Sequence, residues 1–254
     1  MNTIVTLNIN GIRSGIQKGF IEYLESIKAD IVCLQEIKAN EEQIPIFELT
    51  TLGYQTFWFS AMKKGYSGTA ILTKHTPDKI IKGMGIDKYD NEGRLIRMDI
   101  GDITYISVYH PSGSSGDTRQ DFKMQWLDDF YEYIHKLKKE RPHLVISGDF
   151  NICHKEIDIH DPIGNKKSSG FLPEERAWMD KFFNSGFIDT FRVVNSEPHQ
   201  YTWWSFRANA REKNLGWRID YNVVTENLKE RITEAYIDPS VKLSDHCPVF
   251  VVIE

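Results

Sequence analysis

Cysteine is scarce in this chain, with three in 254 residues (Cys33, Cys153 and Cys247), too few and too odd in number for a disulfide framework. No C-x-x-C or H-x-x-x-H spacing accompanies them, so a structural zinc site is not indicated either. Lying in or near apolar runs, they read as buried, inert thiols of a protein in a reducing, intracellular setting. No apolar run approaches the ~20 residues needed to cross a bilayer. Asn8, Asn10 and Arg13 break up the N-terminus before a secretory pattern can form, so no membrane partner is expected. Basic charge is not in excess: 31 Lys and Arg against 36 Asp and Glu give a net charge of −5, whereas nucleic-acid-binding domains are usually basic. Pro- or Ser-rich linkers and low-complexity tracts are missing too, which favours one domain over residues 1–254. With 41% hydrophobic and 26% charged residues, the composition is that of an ordinary soluble protein with a sizeable core.

What the chain does have is four short apolar runs that each end in a polar residue. Ile4–Leu7 precedes Asn8 and Asn10, Ile31–Gln35 precedes Glu36, Leu144–Gly148 precedes Asp149 and Asn151, and Lys242–Ser244 precedes Asp245 and His246. Strands that stop at one edge of an α/β sheet gather such residues in space. Carboxylates, carboxamides and one imidazole, without a thiolate cage, suit Mg²⁺ or Mn²⁺ acting on a phosphate ester.

Periodicity predicts a strand over 3–8, a helix over about Ile16–Ile27 and a strand over 31–35. The same order recurs as a strand over Ile103–Tyr109, a long amphipathic helix over Arg119–Lys139 and a strand over Leu144–Ser147. Two β-α-β units, each ending in a candidate residue, suggest a pseudo-repeat with the site between its halves. Tyr54–Ser60, Gly68–Thr73, Leu95–Ile100, Tyr201–Trp204, Arg218–Val224 and Pro248–Ile253 are also strand-like. Hairpins among β-α-β units imply two mixed sheets packed face to face with helices outside.

In Gly148-Asp149-Phe150-Asn151 the two polar side chains are two apart and in extended chain would point the same way. A carboxylate beside a carboxamide there can take a proton from water and hold it; the competing reading is a simple turn. Asn8-Ile9-Asn10 repeats the alternation at another strand end. Glu36 follows a strand, where α/β ligands usually bind. Asp220 is a candidate partner for His246, favouring an imidazolium that binds a phosphate gaining charge. Lys63-Lys64, Lys166-Lys167 and the set Arg207, Arg211, Lys213 and Arg218 lie in loop-like segments and offer a local basic rim. Trp203, Trp204 and Trp217 bracket the basic loop Arg207–Lys213; Trp204 reads as core, and the others as core or the wall of a pocket for a sugar or unstacked nucleotide.

The ordered set Leu7-Asn8-Ile9-Asn10-Gly11-Ile12-Arg13, Leu34-Gln35-Glu36, Gly65-Tyr66-Ser67-Gly68, Tyr109-His110-Pro111, Gly148-Asp149-Phe150-Asn151, Gly216-Trp217-Arg218-Ile219-Asp220-Tyr221 and Ser244-Asp245-His246 resembles the exonuclease III family of apurinic/apyrimidinic endonucleases, from about Thr3 to Val252. The resemblance implies a four-layer α/β sandwich. It also implies a Mg²⁺-dependent hydrolase (Mn²⁺ substituting) that cuts double-stranded DNA 5′ to abasic sites, removes 3′-blocking groups, and in some members degrades 3′→5′. A monomer is expected. Carried over by position, the metal lies among Glu36, Asn8, Asp245, Asp149, Asn151 and His246, with Glu36 its main ligand. Asp149 activates the attacking water, Asn151 holds it and the phosphate, and His246 (paired with Asp220) and Tyr109 contact a non-bridging oxygen. Trp203, Trp217 and Ile219 wall a pocket for a flipped deoxyribose. Asn165 and Ser168 grip phosphate, Arg13, Gly65 and Tyr66 touch the strand backbone, and Arg207 wedges into the duplex. This chain departs from the family at Asn10, where other members have Asp, at Ser112, where an amide is common, and at Ser168, where Asn is frequent. The nearest rival is a hydrolase of small phosphodiesters such as lipid headgroups or inositol phosphates, against which the aromatic-basic segment 201–219 argues. A catalytically silent DNA-binding module is disfavoured because it has no use for Glu36, Asp149 and Asp245 near repelling phosphates.

Overall fold

In the computed structural model, which describes residues 1–254, the first two apolar runs become neighbouring parallel strands buried on both faces. That double burial is why they read as unbroken rather than alternating hydrophobic stretches. The main strands are β1 (Asn2–Asn8), β2 (Ile31–Gln35), β3 (Gln55–Phe59), β4 (Thr69–Thr73), β5 (Lys79–Lys82), β6 (Leu95–Ile100), β7 (Ile103–Tyr109), β8 (His143–Asp149), β9 (Phe187–Asp189), β10 (Trp203–Trp204), β11 (Gly216–Trp217), β12 (Asp220–Thr225), β13 (Ile232–Ile237) and β14 (Val249–Ile253). The helices are α1 (Ile12–Gln17), α2 (Phe20–Ile27), α3 (Ile46–Thr51), α4 (Asp87–Asp90), α5 (Asp117–Glu140), α6 (Pro173–Asn184) and α7 (Thr190–Val194).

Two six-stranded mixed sheets result, ordered β13-β14-β1-β2-β4-β3 and β5-β6-β7-β8-β12-β9, with β10-β11 as a separate ribbon. In each large sheet a parallel pair joined through helix, β1-β2 or β7-β8, has antiparallel strands on both sides. The expected pseudo-repeat is therefore present in the topology. Successive residues of β1 serve opposite faces: Ile4 joins Ile31, Cys33, Met98, Val145 and Val251 between the sheets, while Val5 and Leu7 pack outward against Phe20 and Leu24 of α2. The outer face of the second sheet is covered by Trp126 and Phe130 of α5 and Met179 and Phe182 of α6. Helix, sheet, sheet, helix is the four-layer α/β arrangement expected.

Several elements differ from expectation. The helix predicted over Ile16–Ile27 is two helices, since Gly19, at φ +93°, adopts a left-handed conformation that breaks it. The long helix starts two residues early, at Asp117, and ends at Glu140. The strand predicted over Tyr201–Trp204 shrinks to Trp203–Trp204. The strand predicted over Arg218–Val224 is β12, which starts two residues later at Asp220 and runs to Thr225; Arg218 and Ile219 form the link from the short β11 that precedes it. α6, β5 and β13 were not anticipated from the sequence. α6 has the sequence signature of Pro173 at its first position followed by Glu174 and Glu175 in the first turn. β5 and β13 are edge strands whose outer faces stay wet, so they lack the continuous apolar run of their neighbours.

Candidate active site

The strand register assembles the site. In the second sheet Asp149 ends β8 with Tyr109 beside it at the end of β7 and Asp220 opposite it at the start of β12. In the first sheet Asn8 ends β1 beside Gln35, and Glu36 follows. The two rows face each other at one edge of the sandwich. There Asn8 Nδ2 donates to both Glu36 Oε1 (2.8 Å) and Asp149 Oδ2 (2.9 Å), a single amide joining two carboxylates across the sheets.

Asp149 and Asn151 come together by a turn rather than by extended chain. Asn151 has φ +52° and its backbone N–H donates to Asp149 Oδ1 (2.8 Å). Asn10, at φ +46°, donates likewise to Asn8 Oδ1 (3.0 Å). Both are Asx turns, so the turn reading and the functional reading hold together. Between the polar pairs, Ile9 and Phe150 are buried in the core and anchor each turn. The Asn151 side chain donates to the His110 carbonyl (2.9 Å). Asn10 donates to Asp245 Oδ1 (2.8 Å) and accepts from Lys38 Nζ (2.5 Å), so its amide ties two segments of the site.

His246 sits beside the same group. Its Nδ1 is 2.8 Å from Asp220 Oδ2 and its Nε2 is 4.0 Å from Asp149 Oδ2. Burial alone would lower the imidazole pKa; Asp220, then Asp149 and Asp245, outweigh it and push it up to about 10. The carboxylates around it therefore favour the imidazolium, whose Nε2–H suits a phosphate contact. Thr202 Oγ1 donates to Asp220 Oδ2 (2.6 Å) and fixes it in turn. Burial, then repulsion from Asp220, raise the Asp149 carboxyl despite His246 nearby. Glu36 is held below its ordinary value: burial opposes this, but Lys38 (2.7 Å away) and the Asn8 amide prevail. Asp245 is also lowered, against burial, by His246 and by hydrogen bonds from Asn10 and Trp203. Burial and Glu36 raise the Tyr109 phenol far above its usual range, so it keeps its proton.

The ligand atoms of Glu36, Asp149 and His246 lie within 4.8 Å of one another. Two carboxylates bridged by an amide, with oxygen donors and no thiolate, fit a hard divalent cation at the Glu36–Asp149 end, with Asn8 orienting Glu36. Beside them opens a cavity of about 240 Å³ whose lining includes Tyr109, Asn151, Trp203, Trp217, Ile219 and Asp245. Trp203 and Trp217 meet edge-on at 6.0 Å.

The remaining candidates border this centre. Arg13 and Gly65 share a polar groove with Lys38, next to Glu36. Tyr66 is held by Arg94 Nη2 (3.0 Å) and Arg119 Nη2 (2.7 Å) donating to its hydroxyl. Ser168 Oγ donates to Asn165 Oδ1 (3.2 Å) in the loop that leads to Ser169 and Gly170 of the cavity wall. Arg207 is exposed beside an exposed Phe206. The basic rim expected from Arg211 and Arg218 does not form. Arg218 is buried against Asp158 and Asp189, and Arg211 turns inward onto the carbonyls of Ser244, Val241 and Pro239, because each finds partners within the fold. Lys38, Thr202, Ser169 and Gly170 belong to the site without having been singled out; only Lys38, two residues after Glu36, had a local signal.

Comparison with known proteins extends these observations. Residues 5–246 match the model of the Endonuclease/Exonuclease/phosphatase family. The chain is 41% identical over 252 residues to an exodeoxyribonuclease of Bacillus subtilis, covering 98% of each protein. It is 39% identical to a DNA-(apurinic or apyrimidinic site) endonuclease of Dictyostelium discoideum, covering 99% of this chain and 70% of that protein. The solved structure of an AP endonuclease from Archaeoglobus fulgidus superposes with a TM-score of 0.92 at 32% identity, covering all of both chains.

Proposed function

The chain belongs to the endonuclease/exonuclease/phosphatase family, and from that membership and the geometry above we propose that it is a metal-dependent DNA repair hydrolase. It cuts the phosphodiester 5′ to abasic sites in double-stranded DNA and clears blocked 3′ ends, with 3′→5′ exonuclease action on the same chemistry, working inside the cell as a monomer. No helix is long and apolar enough to cross a membrane. The observation that carries this reading is the meeting of Glu36, Asp149 and the Asp220–His246 pair beside an aromatic cavity.

Glu36, oriented by Asn8, and Asp149 would hold a divalent cation, for which we assign Mg²⁺ with Mn²⁺ as substitute; when bound it would supply positive charge to offset that developing on the phosphate. Asp149 takes the proton of the attacking water at its carboxylate, and the Asn151 amide orients that water and the phosphate. The imidazolium of His246 donates from Nε2 to a non-bridging oxygen while Asp220 holds its ring, and the protonated Tyr109 donates to the same group. Trp203, Trp217 and Ile219 accept a flipped deoxyribose and exclude a nucleotide that still bears its base, so lesions are selected by exclusion. Arg13, Gly65, Tyr66, Asn165 and Ser168 engage the backbone without reading sequence, and Arg207 enters the duplex. The Trp203–Trp217 wall favours DNA over a small phosphodiester. A labelled duplex carrying one abasic analogue tests the reading: it should give a single cut on the 5′ side, abolished by EDTA and restored by Mg²⁺. No cut, or a cut indifferent to EDTA, rejects it.

A further inference from the structure

An ion pair with no access to water lies directly behind the cavity. Lys123 of α5 and Glu175 of α6 are both fully buried, with Nζ 2.5 Å from Oε1. Such a pair is poor evidence for stability, since desolvating both charges offsets much of their attraction. What else they touch is more informative. Lys123 Nζ also donates to the Asn151 carbonyl (2.8 Å). Glu175 Oε2 accepts from the backbone N–H groups of Gly170 (2.6 Å) and Leu172 (3.0 Å). Gln120 Nε2 donates to Glu175 Oε1 (3.0 Å), and Ser169 Oγ donates to Gln120 Oε1 (2.7 Å).

The pair thus reaches both sides of the cavity at once. Asn151 ends the turn that follows Asp149, while Ser169 and Gly170 form the wall facing Trp217. The gap between these sides is set at Gly170. At φ +97°, any Cβ there would stand 3.0 Å from the Trp217 ring and 3.1 Å from the Asn151 carbonyl. The Gly170 carbonyl also accepts from Cys153 N–H (2.8 Å), closing a loop from the catalytic turn to the wall and back.

We infer that Lys123 and Glu175 are positioning residues for the hydrolysis: a buried brace that fixes the Asn151 turn and the Ser169–Gly170 wall relative to each other. The inference rests on the nuclease reading for its kinetic consequence, though not for the brace itself. Misplacing a reacting group by about 1 Å costs on the order of 100-fold in rate, so loosening the brace acts on turnover. Substrate binding, which draws on many backbone contacts, is affected less.

The test compares K123M, E175M and the double variant K123M/E175M with wild type, well below their melting temperatures. Each single variant strands a buried charge and should melt lower, and the double variant, with neither charge, should recover part of the loss. Despite that recovery, its kcat on the abasic duplex should stay about 10- to 100-fold down with KM changed less than about threefold, and hydrogen exchange over residues 149–153 and 168–172 should be faster than in wild type. E175Q covers the case in which the double variant does not fold. Its amide leaves one oxygen for donors that two now serve, so exchange over 168–172 should quicken and kcat should fall. A purely structural pair predicts that activity returns with stability. The double variant, or E175Q, with kcat within twofold of wild type and unchanged exchange in these segments overturns the brace. If wild type itself does not cut the abasic duplex, the nuclease reading falls, and the exchange comparison decides the brace alone.

Discussion

Asn8 carries no charge, yet its one amide nitrogen holds Glu36 and Asp149 together across the two sheets. Ser244 Oγ donates to the Asn8 carbonyl (2.7 Å), and the His246 N–H donates to Ser244 Oγ (3.0 Å), so the same residue also sets the segment that carries the histidine. Around it each acidic group has a distinct environment. Asp245 and Glu36 are stabilised as anions, whereas Asp149 is the carboxyl that burial pushes upward. A raised carboxyl is the better base toward water. Asp149→Asn keeps size and shape and removes that basicity, so single-turnover incision should fall about 10²- to 10⁴-fold. Duplex affinity in a gel-shift assay without hydrolysis should be unchanged or tighter, since a negative charge near phosphate is lost. Normal turnover in this variant would dismiss Asp149 as the base.

Strands and turns set how firmly these residues are delivered. Gly148 pairs with Val108 in the parallel β7-β8 register, one residue before the Tyr109–Asp149 pair. A Cβ on Gly148 would fall on the Val108 carbonyl, so Gly148→Ala must part the two strands that carry the site. The expected cost is about 3 kcal/mol in urea unfolding, with incision lost as well. At the β11-β12 junction, Asp158 accepts from Arg218 Nε (2.8 Å) and Arg192 Nη2 (2.7 Å). Burial would raise the Asp158 carboxyl, but the two guanidinium groups pull it down to about 2. A folded pKa below the unfolded value gives stability that is complete above about pH 4 and lost as pH falls through about 2. The linkage is worth about 2 kcal/mol. Asp158→Asn should therefore unfold more easily than wild type at pH 7, and the gap should narrow on acidification from pH 4 toward 2.5. A gap independent of pH would show that the pair does not titrate as described. Legibility differed among the elements for physical reasons. The central strands were clear because burial on both faces demands continuous apolar residues, and α5 because its apolar stripe recurs over many turns. Edge strands β5 and β13 and the two-residue strands had no such demand.

At the scale of the whole molecule, the site exists only where the ends of interior strands from the two sheets meet. Glu36 comes from one sheet and Asp149 from the other, so a cation held by both residues would tie the two sheets together. Mg²⁺ should then raise the melting temperature by mass action, about 1.4 kcal/mol at ten times its dissociation constant, or a few degrees for a chain of this length. In Glu36→Ala the rise should vanish and the Mg²⁺ needed for incision should increase. An equal rise in wild type and variant would place the cation elsewhere. Trp217→Ala belongs to this scale too, because it removes a pocket wall and leaves the backbone contacts in other loops. Incision at abasic analogues should fall more than non-specific duplex binding, and equal loss of both would remove the pocket from the account.

The sequence alone determined which residues had the chemistry and roughly where each would sit. A polar residue closing an apolar strand is a local pattern, and strand ends in α/β sheets gather at one edge. It also carried the motif order that marks the family. Only the tertiary structure decided how those residues are joined. The Asn8–Asp149 hydrogen bond spans 141 residues, and the Lys123–Glu175 contact spans 52. It decided too which basic residues stay free: Arg211 and Arg218, read from the chain as a basic rim, are consumed by partners inside the fold. Periodicity and spacing report on neighbours along the chain, whereas the pairing and neutralisation of charge depend on which distant segments the packed sheets bring within a few ångströms.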